Sequence, residues 1–170
     1  RLITQGNVPD GVTLGDVDVP DTVKVQGPSK TLESIAYVTG AIDYSEHDRS
    51  FSVYVDREDL SPMDANDQVV QGVTIEDPYV EVVATYIREK EVPVKIVHDS
   101  FNNDRFALTD IIAEPATVTI RGKDDTLDEI QEISTIQLNI GSYENDVEVP
   151  VTLSIPSGIS RVDDEEIKAL

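Results

Sequence analysis

The sequence predicts a mainly β protein made of two tandem, mainly antiparallel β modules, each with one short helix. One observation is a duplication: Pro20–Ile35 returns as Pro115–Ile130 without a gap, which indicates one structural unit used twice. Another is composition, because aromatic residues are 5% of the chain and tryptophan is absent. Aliphatic, largely β-branched side chains must therefore fill the interior, and such residues favour sheet.

Each copy of the duplicated stretch reads as a strand, a glycine and a short helix. The proline that opens it fixes φ and has no amide donor, as suits the first residue of a strand. Alternating apolar residues follow, at the period of two that a half-buried strand requires. The matched positions are Pro20 and Pro115, Val23 and Val118, Gly27 and Gly122, Leu32 and Leu127, and Ile35 and Ile130.

The glycine and the residues after it predict a turn into a helix. At Gly27 and Gly122 the chain is expected to turn, with a positive φ that glycine adopts without steric cost. Ser29 and Asp124 are expected to accept hydrogen bonds from free amides of the first helical turn. The apolar residues that follow recur three apart and predict about two helical turns with one buried stripe.

This pattern of proline, β-branched strand, glycine and T-L-x-x-I segment resembles the YbbR domain. YbbR repeats occur in tandem in the extracytoplasmic part of CdaR-type proteins, which regulate a membrane-bound diadenylate cyclase in Gram-positive bacteria. The resemblance covers nearly the whole chain and implies a non-catalytic, protein-contacting regulator of cyclic di-AMP synthesis. It implies placement on the outer face of the cell membrane, anchored by a transmembrane helix upstream of this sequence.

The repeat divides the chain into modules at residues 1–88 and 89–170. The linker is expected at Arg88–Glu91, a short charged run without glycine or serine. The first module is expected to begin mid-strand, and the last strand of the second is expected to be incomplete. A chain that starts with Arg1 and has no signal peptide is expected to be an excised or processed piece.

Further strands are predicted from alternation outside the duplicated stretch. Tyr79–Ile87 is apolar on both faces, which indicates a strand that is central or interfacial. Phe106 and Leu108 match Val12 and Leu14 of the first module and predict a strand there. The remaining predicted strands are Leu2–Thr4, residues 42–44, Phe51–Val55, residues 136–140 and residues 147–155.

The net charge of −21 excludes some partners. So acidic a chain repels nucleic-acid phosphates and anionic lipid headgroups, so we expect neither nucleic-acid binding nor direct membrane binding. The acidity is expected to be a solvated surface that keeps the protein soluble, with steering of a basic partner as the alternative. The absence of cysteine leaves the compartment open.

No group of reactive side chains in the sequence predicts an enzyme, a metal site or a cofactor. The acidic loop Asp56–Asp67 is the best candidate for a cation, but it lacks the spacing and central glycine of a calcium loop. His47 and His98 are too few for zinc. The run His98–Asp99–Ser100 has triad residue types without evidence of convergence in space. The run Asp163–Glu166 is expected to be solvated.

A ligand-binding module, for a cell-wall saccharide or a cation, is the alternative to regulation. Binding clefts often present exposed aromatic rings, and tyrosines are the main supply here. Tyr54 points away from Val53 and Val55 and is expected to be exposed, and Tyr37 and Tyr143 lie near turns. A pure spacer, in which the repeats only set a distance, is the third possibility.

Overall fold

The computed structural model describes the backbone from Leu2 to Leu170 and the side chains from Gly6 onward. Strands make up 41% of the chain and helices 8%, which confirms the predicted mainly β class. The chain folds as two compact units, one ending at Tyr86 and the other running from Ile87 to Leu170. Each has a hydrophobic core of its own.

The first unit contains short strands, one helical turn and the start of a long strand. Its elements are β1 (Leu2–Gln5), β2 (Val12–Asp18), β3 (Val25–Gln26), α1 (Ser29–Leu32), β4 (Tyr37–Asp43), β5 (Phe51–Asp56), a 3-10 turn (Arg57–Asp59), β6 (Ser61–Met63), β7 (Thr74–Ile75) and β8 (Tyr79–Lys95). β5 pairs antiparallel with residues 79–84 of β8, and β2 also pairs with β8. β4 pairs antiparallel with β6 and parallel with β1, while β3 pairs antiparallel with β7.

Aliphatic residues from β4, β5, β7 and β8 form the first core, as the alternating pattern requires. Along β8, Val80, Val82, Ala84 and Tyr86 are buried, whereas Tyr79 and Val83 are exposed. The strand is central, as predicted, because β8 pairs with both β2 and β5. Its outward apolar residues nevertheless lie on a solvated face. The other core residues are Ile42, Tyr44, Val55, Leu60 and Ile75.

The second unit repeats the strand–helix sequence with longer strands at its centre. Its further elements are β9 (Ala113–Glu114), β10 (Thr117–Lys123), α2 (Asp124–Glu129), β11 (Ile133–Ser134), β12 (Val149–Pro150), β13 (Ile159–Arg161) and β14 (Lys168–Ala169). β10 pairs antiparallel with residues 87–93 of β8 and with β13. β11 runs parallel to the end of β8, and β14 lies antiparallel between β9 and β12. The core residues are Val92, Ala113, Val118, Ile120, Leu127, Ile133 and Ile167.

Two sequence expectations for this unit are wrong. Arg88–Glu91 is not a linker but part of β8, where it faces residues 119–122 of β10. The alternation over residues 136–140 and 147–155 gives only β12 and isolated bridges at Leu138 and Leu153. Pro150 has no amide to donate, and a turn follows Ile140, so the ladder stays short.

The helices also differ from expectation. Pro28 and Lys123, in extended conformation, occupy the cap positions, so Ser29 and Asp124 are the first helical residues. The Asp124 carboxylate accepts a hydrogen bond from the amide of Asp125 (3.0 Å), which confirms the predicted bond to a free amide of the first turn at this position. Leu127 is 1% exposed, whereas Leu32 is only half-buried. The difference follows from length, because α1 is a four-residue turn that buries no side chain, whereas α2 has six residues.

The repeated glycines are required by close packing rather than by a turn. Neither Gly27 nor Gly122 has a positive φ, and Gly122 lies inside β10, so the expected left-handed turn is wrong. A Cβ on Gly27 would lie 2.7 Å from Cγ1 of Val73. A Cβ on Gly122 would lie 3.0 Å from the carbonyl oxygen of Gly158. In both units the chain at the start of a neighbouring strand, β7 or β13, lies close against the glycine. The duplication therefore preserves a point of close packing between two backbone segments.

Candidate functional site

The second unit carries an open apolar groove of about 230 Å³ between residues 101–111 and 138–149. An Asx turn and a hydrogen bond between its walls shape it. The side-chain oxygen of Asn103 accepts hydrogen bonds from the amides of Arg105 (2.9 Å) and Phe106 (3.2 Å). The Asp99 carboxylate accepts one from the amide of Ile140 (2.8 Å). The turn thus presents Phe106, and the bond to Asp99 holds Ile140 in the opposite wall.

The walls of the groove are apolar and partly open to solvent. Phe106 is 48% and Leu108 41% exposed, although both side chains face the groove. Ile140 is nearly buried, and Tyr143 is half-buried. Exposed aromatic and aliphatic side chains gathered in a concave surface mark a binding site more often than a scattered apolar residue does.

The rim of the groove is acidic. Asp110, Glu144 and Asp146 contribute to its lining, and the lining includes neither lysine nor arginine. The Asp110 carboxylate also accepts a hydrogen bond from the amide of Ile111 at 2.8 Å. The groove therefore combines an apolar interior with a negative edge, which suits an apolar segment that carries positive charge.

Two carboxylates of the acidic loop Asp56–Asp67 accept hydrogen bonds within the first unit. Asp64 accepts them from the amides of Gln68 (2.9 Å) and Asn66 (2.8 Å), and these bonds lower its pKa. Asp67 accepts one from the hydroxyl of Tyr37. Asp64 thus holds a tight turn.

The residues of the predicted triad types do not converge. Nδ1 of His98 lies 2.7 Å from the backbone oxygen of Asp99, and the Asp99 carboxylate is bonded to Ile140. His47 stacks on Phe51 with ring centroids 3.7 Å apart. Each histidine thus has a local structural contact.

The run Asp163–Glu166 contains one residue with a structural role. The carboxylate of Asp163 accepts a hydrogen bond from the amide of Thr119 (3.0 Å), which lowers its pKa, and Arg161 contributes in the same direction. In the first unit, Asp77 accepts one from the amide of Lys24 at 2.9 Å. Lys24 and Thr119 are matched positions of the duplication, so the two carboxylates hold equivalent strands. The expectation of a merely solvated run was wrong for Asp163.

Tyr54 is 58% exposed, as its place in the alternation predicts. Its ring meets that of Tyr79 edge-on, with centroids 4.7 Å apart and an interplanar angle of 72°. This pair is an exposed aromatic surface on the first unit. Tyr143 lies in the groove of the second unit, and the hydroxyl of Tyr37 donates a hydrogen bond to Asp67.

Within the described residues, no three His, Asp or Glu side chains are grouped so that they could hold a metal ion. Over the same residues, no helix is long and apolar enough to cross a membrane. The groove was missed from the sequence because its walls come from two loops without periodicity. Asp77 and Asp163 could have been found from the sequence. Each lies four residues after an aliphatic residue, Val73 or Ile159, that packs against a glycine of the duplicated stretch.

These features define a class of protein: a duplicated β scaffold with an apolar groove in one unit and carboxylates that hold backbone amides in both. The chain belongs to the family described as YbbR-like protein, whose model matches residues 1–83 and again residues 92–169. The two matches confirm the resemblance seen in the duplicated stretch. They also account for nearly the whole chain.

Similar proteins include one with a regulatory name. The chain is 21% identical over 155 residues to the CdaA regulatory protein CdaR of Bacillus subtilis (strain 168). That match covers 87% of this chain, which spans 30% of the relative's length. A crystal structure of a YbbR-like protein from Streptococcus pneumoniae TIGR4 is 17% identical and covers 98% of this chain and 88% of that one. The TM-score between the two structures is 0.33.

Proposed function

We propose that this chain is a non-catalytic regulatory module that acts by contacting protein. In this proposal it lies outside the cytoplasmic membrane, held there by a helix elsewhere in its parent protein, and controls cyclic di-AMP synthesis by a membrane diadenylate cyclase. The observation that carries the proposal is the double YbbR match together with the similarity to a protein named as a CdaA regulator.

The chemistry of the described residues supports binding rather than catalysis. Asp64, Asp99 and Asp163 hold backbone amides, so these carboxylates are not poised as acids or bases. The groove of the second unit is apolar with an acidic rim, which suits recognition of a protein segment. The net charge of −21 opposes direct adsorption to anionic lipid, so contact with the cyclase is proposed to be protein to protein.

The proposal predicts that the membrane-anchored parent protein co-purifies with the diadenylate cyclase and changes the rate of cyclic di-AMP formation. Activity is measured in membranes that contain the cyclase alone, the cyclase with the parent protein, and the cyclase with a parent protein lacking residues 1–170. The effect should require these residues. An unchanged rate together with no complex would remove the proposal.

A saccharide-binding role is the second candidate because Tyr54 and Tyr79 form an exposed aromatic pair. Aromatic rings exposed on a sheet can contact the apolar faces of sugars. Calorimetry with soluble cell-wall fragments separates the candidates in the same preparations. Ligand binding would replace regulation as the proposed function if three results hold. The chain binds the fragments, Tyr54→Ala abolishes that binding, and the parent protein has no effect on cyclase activity.

A further inference from the structure

Two tyrosines and two carboxylates of β5 and β8 lie together on one face of the first unit. Tyr54 is directly opposite Glu81 in the ladder, and Asp56 is directly opposite Tyr79. Opposite residues of an antiparallel pair project from the same face, with Cβ atoms about 5 Å apart. The residues between them along each strand pack in the first core, so this face is turned to solvent. These four residues form the tyrosine–carboxylate patch.

The two rings of the patch are held together and open to solvent. Tyr54 and Tyr79 are both more than half exposed, and their edge-on contact is a favourable arrangement of aromatic rings. An edge-on contact leaves ring faces that the partner ring does not cover. The negative face of a tyrosine ring attracts a cation that lies within about 6 Å of its centroid. The pair therefore offers an aromatic surface to a cation.

The carboxylates of the patch are exposed and have no ion-pair partner. The Glu81 carboxylate accepts a hydrogen bond from Oγ of Ser52 at 2.7 Å, which holds it on this face. Among the residues that the structure describes, neither Glu81 nor Asp56 forms an ion pair, not even with Arg57, which follows Asp56 in sequence. A carboxylate accepts several hydrogen bonds, so the bond from Ser52 leaves Glu81 able to accept more.

From these observations we infer that the tyrosine–carboxylate patch binds an arginine side chain in a basic segment of a partner protein. A guanidinium is planar, stacks on aromatic faces and donates several hydrogen bonds to carboxylates in a fixed geometry. Ring and carboxylate alternate on both strands of the patch, so one guanidinium meets both kinds of contact. A lysine ammonium is compact and strongly hydrated and would use the rings less well.

The charge of the first unit favours a basic partner. Aspartate and glutamate outnumber lysine and arginine by 16 to 5 in residues 1–86. A field of this sign speeds the association of a basic segment and repels an acidic one. The inference rests on the proposed function in one respect, namely that the chain acts by contacting protein. It does not require that the contacted protein be a cyclase.

The test is titration of the isotopically labelled chain with a nine-residue peptide of alternating arginine and serine, followed by NMR. We expect saturable shifts at residues 52–56 and 79–83. A peptide with lysine in place of arginine should bind more weakly, because it loses the stacking contact. A peptide with glutamate in place of arginine should not bind, because it meets like charge.

Matched variants separate the rings and the carboxylates from net charge. Tyr54→Leu combined with Tyr79→Leu should weaken the affinity about tenfold, whereas the double change to phenylalanine keeps both rings and should preserve it. Glu81→Gln should weaken the affinity about threefold. Glu33→Gln is its control and should change the affinity little, since Glu33 is an exposed carboxylate that follows α1. Shift mapping on the unmodified chain keeps the test valid if a variant does not fold.

Several results would overturn the inference. Equal losses for Glu81→Gln and Glu33→Gln would show that net charge alone holds the peptide. Equal affinities for the double leucine and double phenylalanine variants would remove the rings from the contact. Shifts confined to residues outside 52–56 and 79–83 would place binding elsewhere. A dimer in sedimentation that the double leucine variant dissociates would assign the face to a second copy of this chain.

Two further results distinguish the patch from the other proposals. A soluble cell-wall fragment that shifts the same residues at lower concentration than the arginine peptide would assign the rings to a sugar and overturn the inference. Peptide binding at the patch, with no effect of the parent protein on cyclase activity, would support the inference and remove the proposed regulation. Regulation of the cyclase without peptide binding would do the reverse.

Discussion

Replacing Gly122 with alanine is expected to lower the free energy of unfolding of the second unit by about 3 kcal/mol. The added Cβ would lie 3.0 Å from the carbonyl oxygen of Gly158 and would also press on Cδ1 of Ile159. The Ile159 side chain can move, but the Gly158 carbonyl is backbone. The strain is therefore relieved only by separating β10 from β13, whose ladder pairs Gly122 with Ile159.

Thermal unfolding measures this effect, and the chain offers a matched control. A loss of about 3 kcal/mol lowers the melting temperature of a unit of this size by roughly 15 °C. At Gly141 an added Cβ would meet only the Asn139 side chain, at 3.8 Å, so Gly141→Ala should change the melting temperature little. Equal melting temperatures for Gly122→Ala and Gly141→Ala would contradict the close-packing explanation.

Leu127→Ala is expected to cost about 3 kcal/mol, near the middle of the range for truncating a buried leucine. Leu127 is 1% exposed and lies in the second core. Its helix is held further by Lys90, whose Nζ donates to the carbonyls of Leu127 (2.9 Å) and Ile130 (2.6 Å). The helix cannot easily collapse into the cavity that the truncation leaves, so most of the cost remains.

The duplication supplies the control, because Leu32 occupies the matched position in the first unit. It is half-buried on a four-residue helix that buries no side chain, so Leu32→Ala should cost about 1 kcal/mol or less. Denaturant unfolding of both variants, followed by probes in each unit, gives the two free energies. Similar losses for Leu32→Ala and Leu127→Ala would show that the helices are equivalent after all.

The scaffold could be predicted from sequence where a signal was local or repeated. The alternation in Phe51–Val55 predicted β5, and the matched Gly27 and Gly122 marked positions where the two units are built alike. The reason for the glycines could not be predicted, because the strands that press on them lie some 40 residues away in sequence. Interpreted from its neighbours in sequence, each glycine predicted a turn, whereas in the structure each lies where two segments of chain pack closely.

The groove could not be predicted from the sequence, because it too depends on segments that are distant along the chain. Its walls come from loops around Phe106 and Tyr143, in which the polar residues follow no period. The match of Phe106 and Leu108 with Val12 and Leu14 predicted a strand, and the structure forms none there. The sequence could reveal the apolar positions and could not reveal which backbone groups would pair.

Amide hydrogen exchange, resolved by residue, tests most directly the claim that the chain is one scaffold used twice. The amides of the matched residues Lys24 and Thr119 donate hydrogen bonds to Asp77 and Asp163, so both amides should exchange at least about 10-fold more slowly than in an unstructured chain. Protection of Thr119 with no protection of Lys24 would contradict the account.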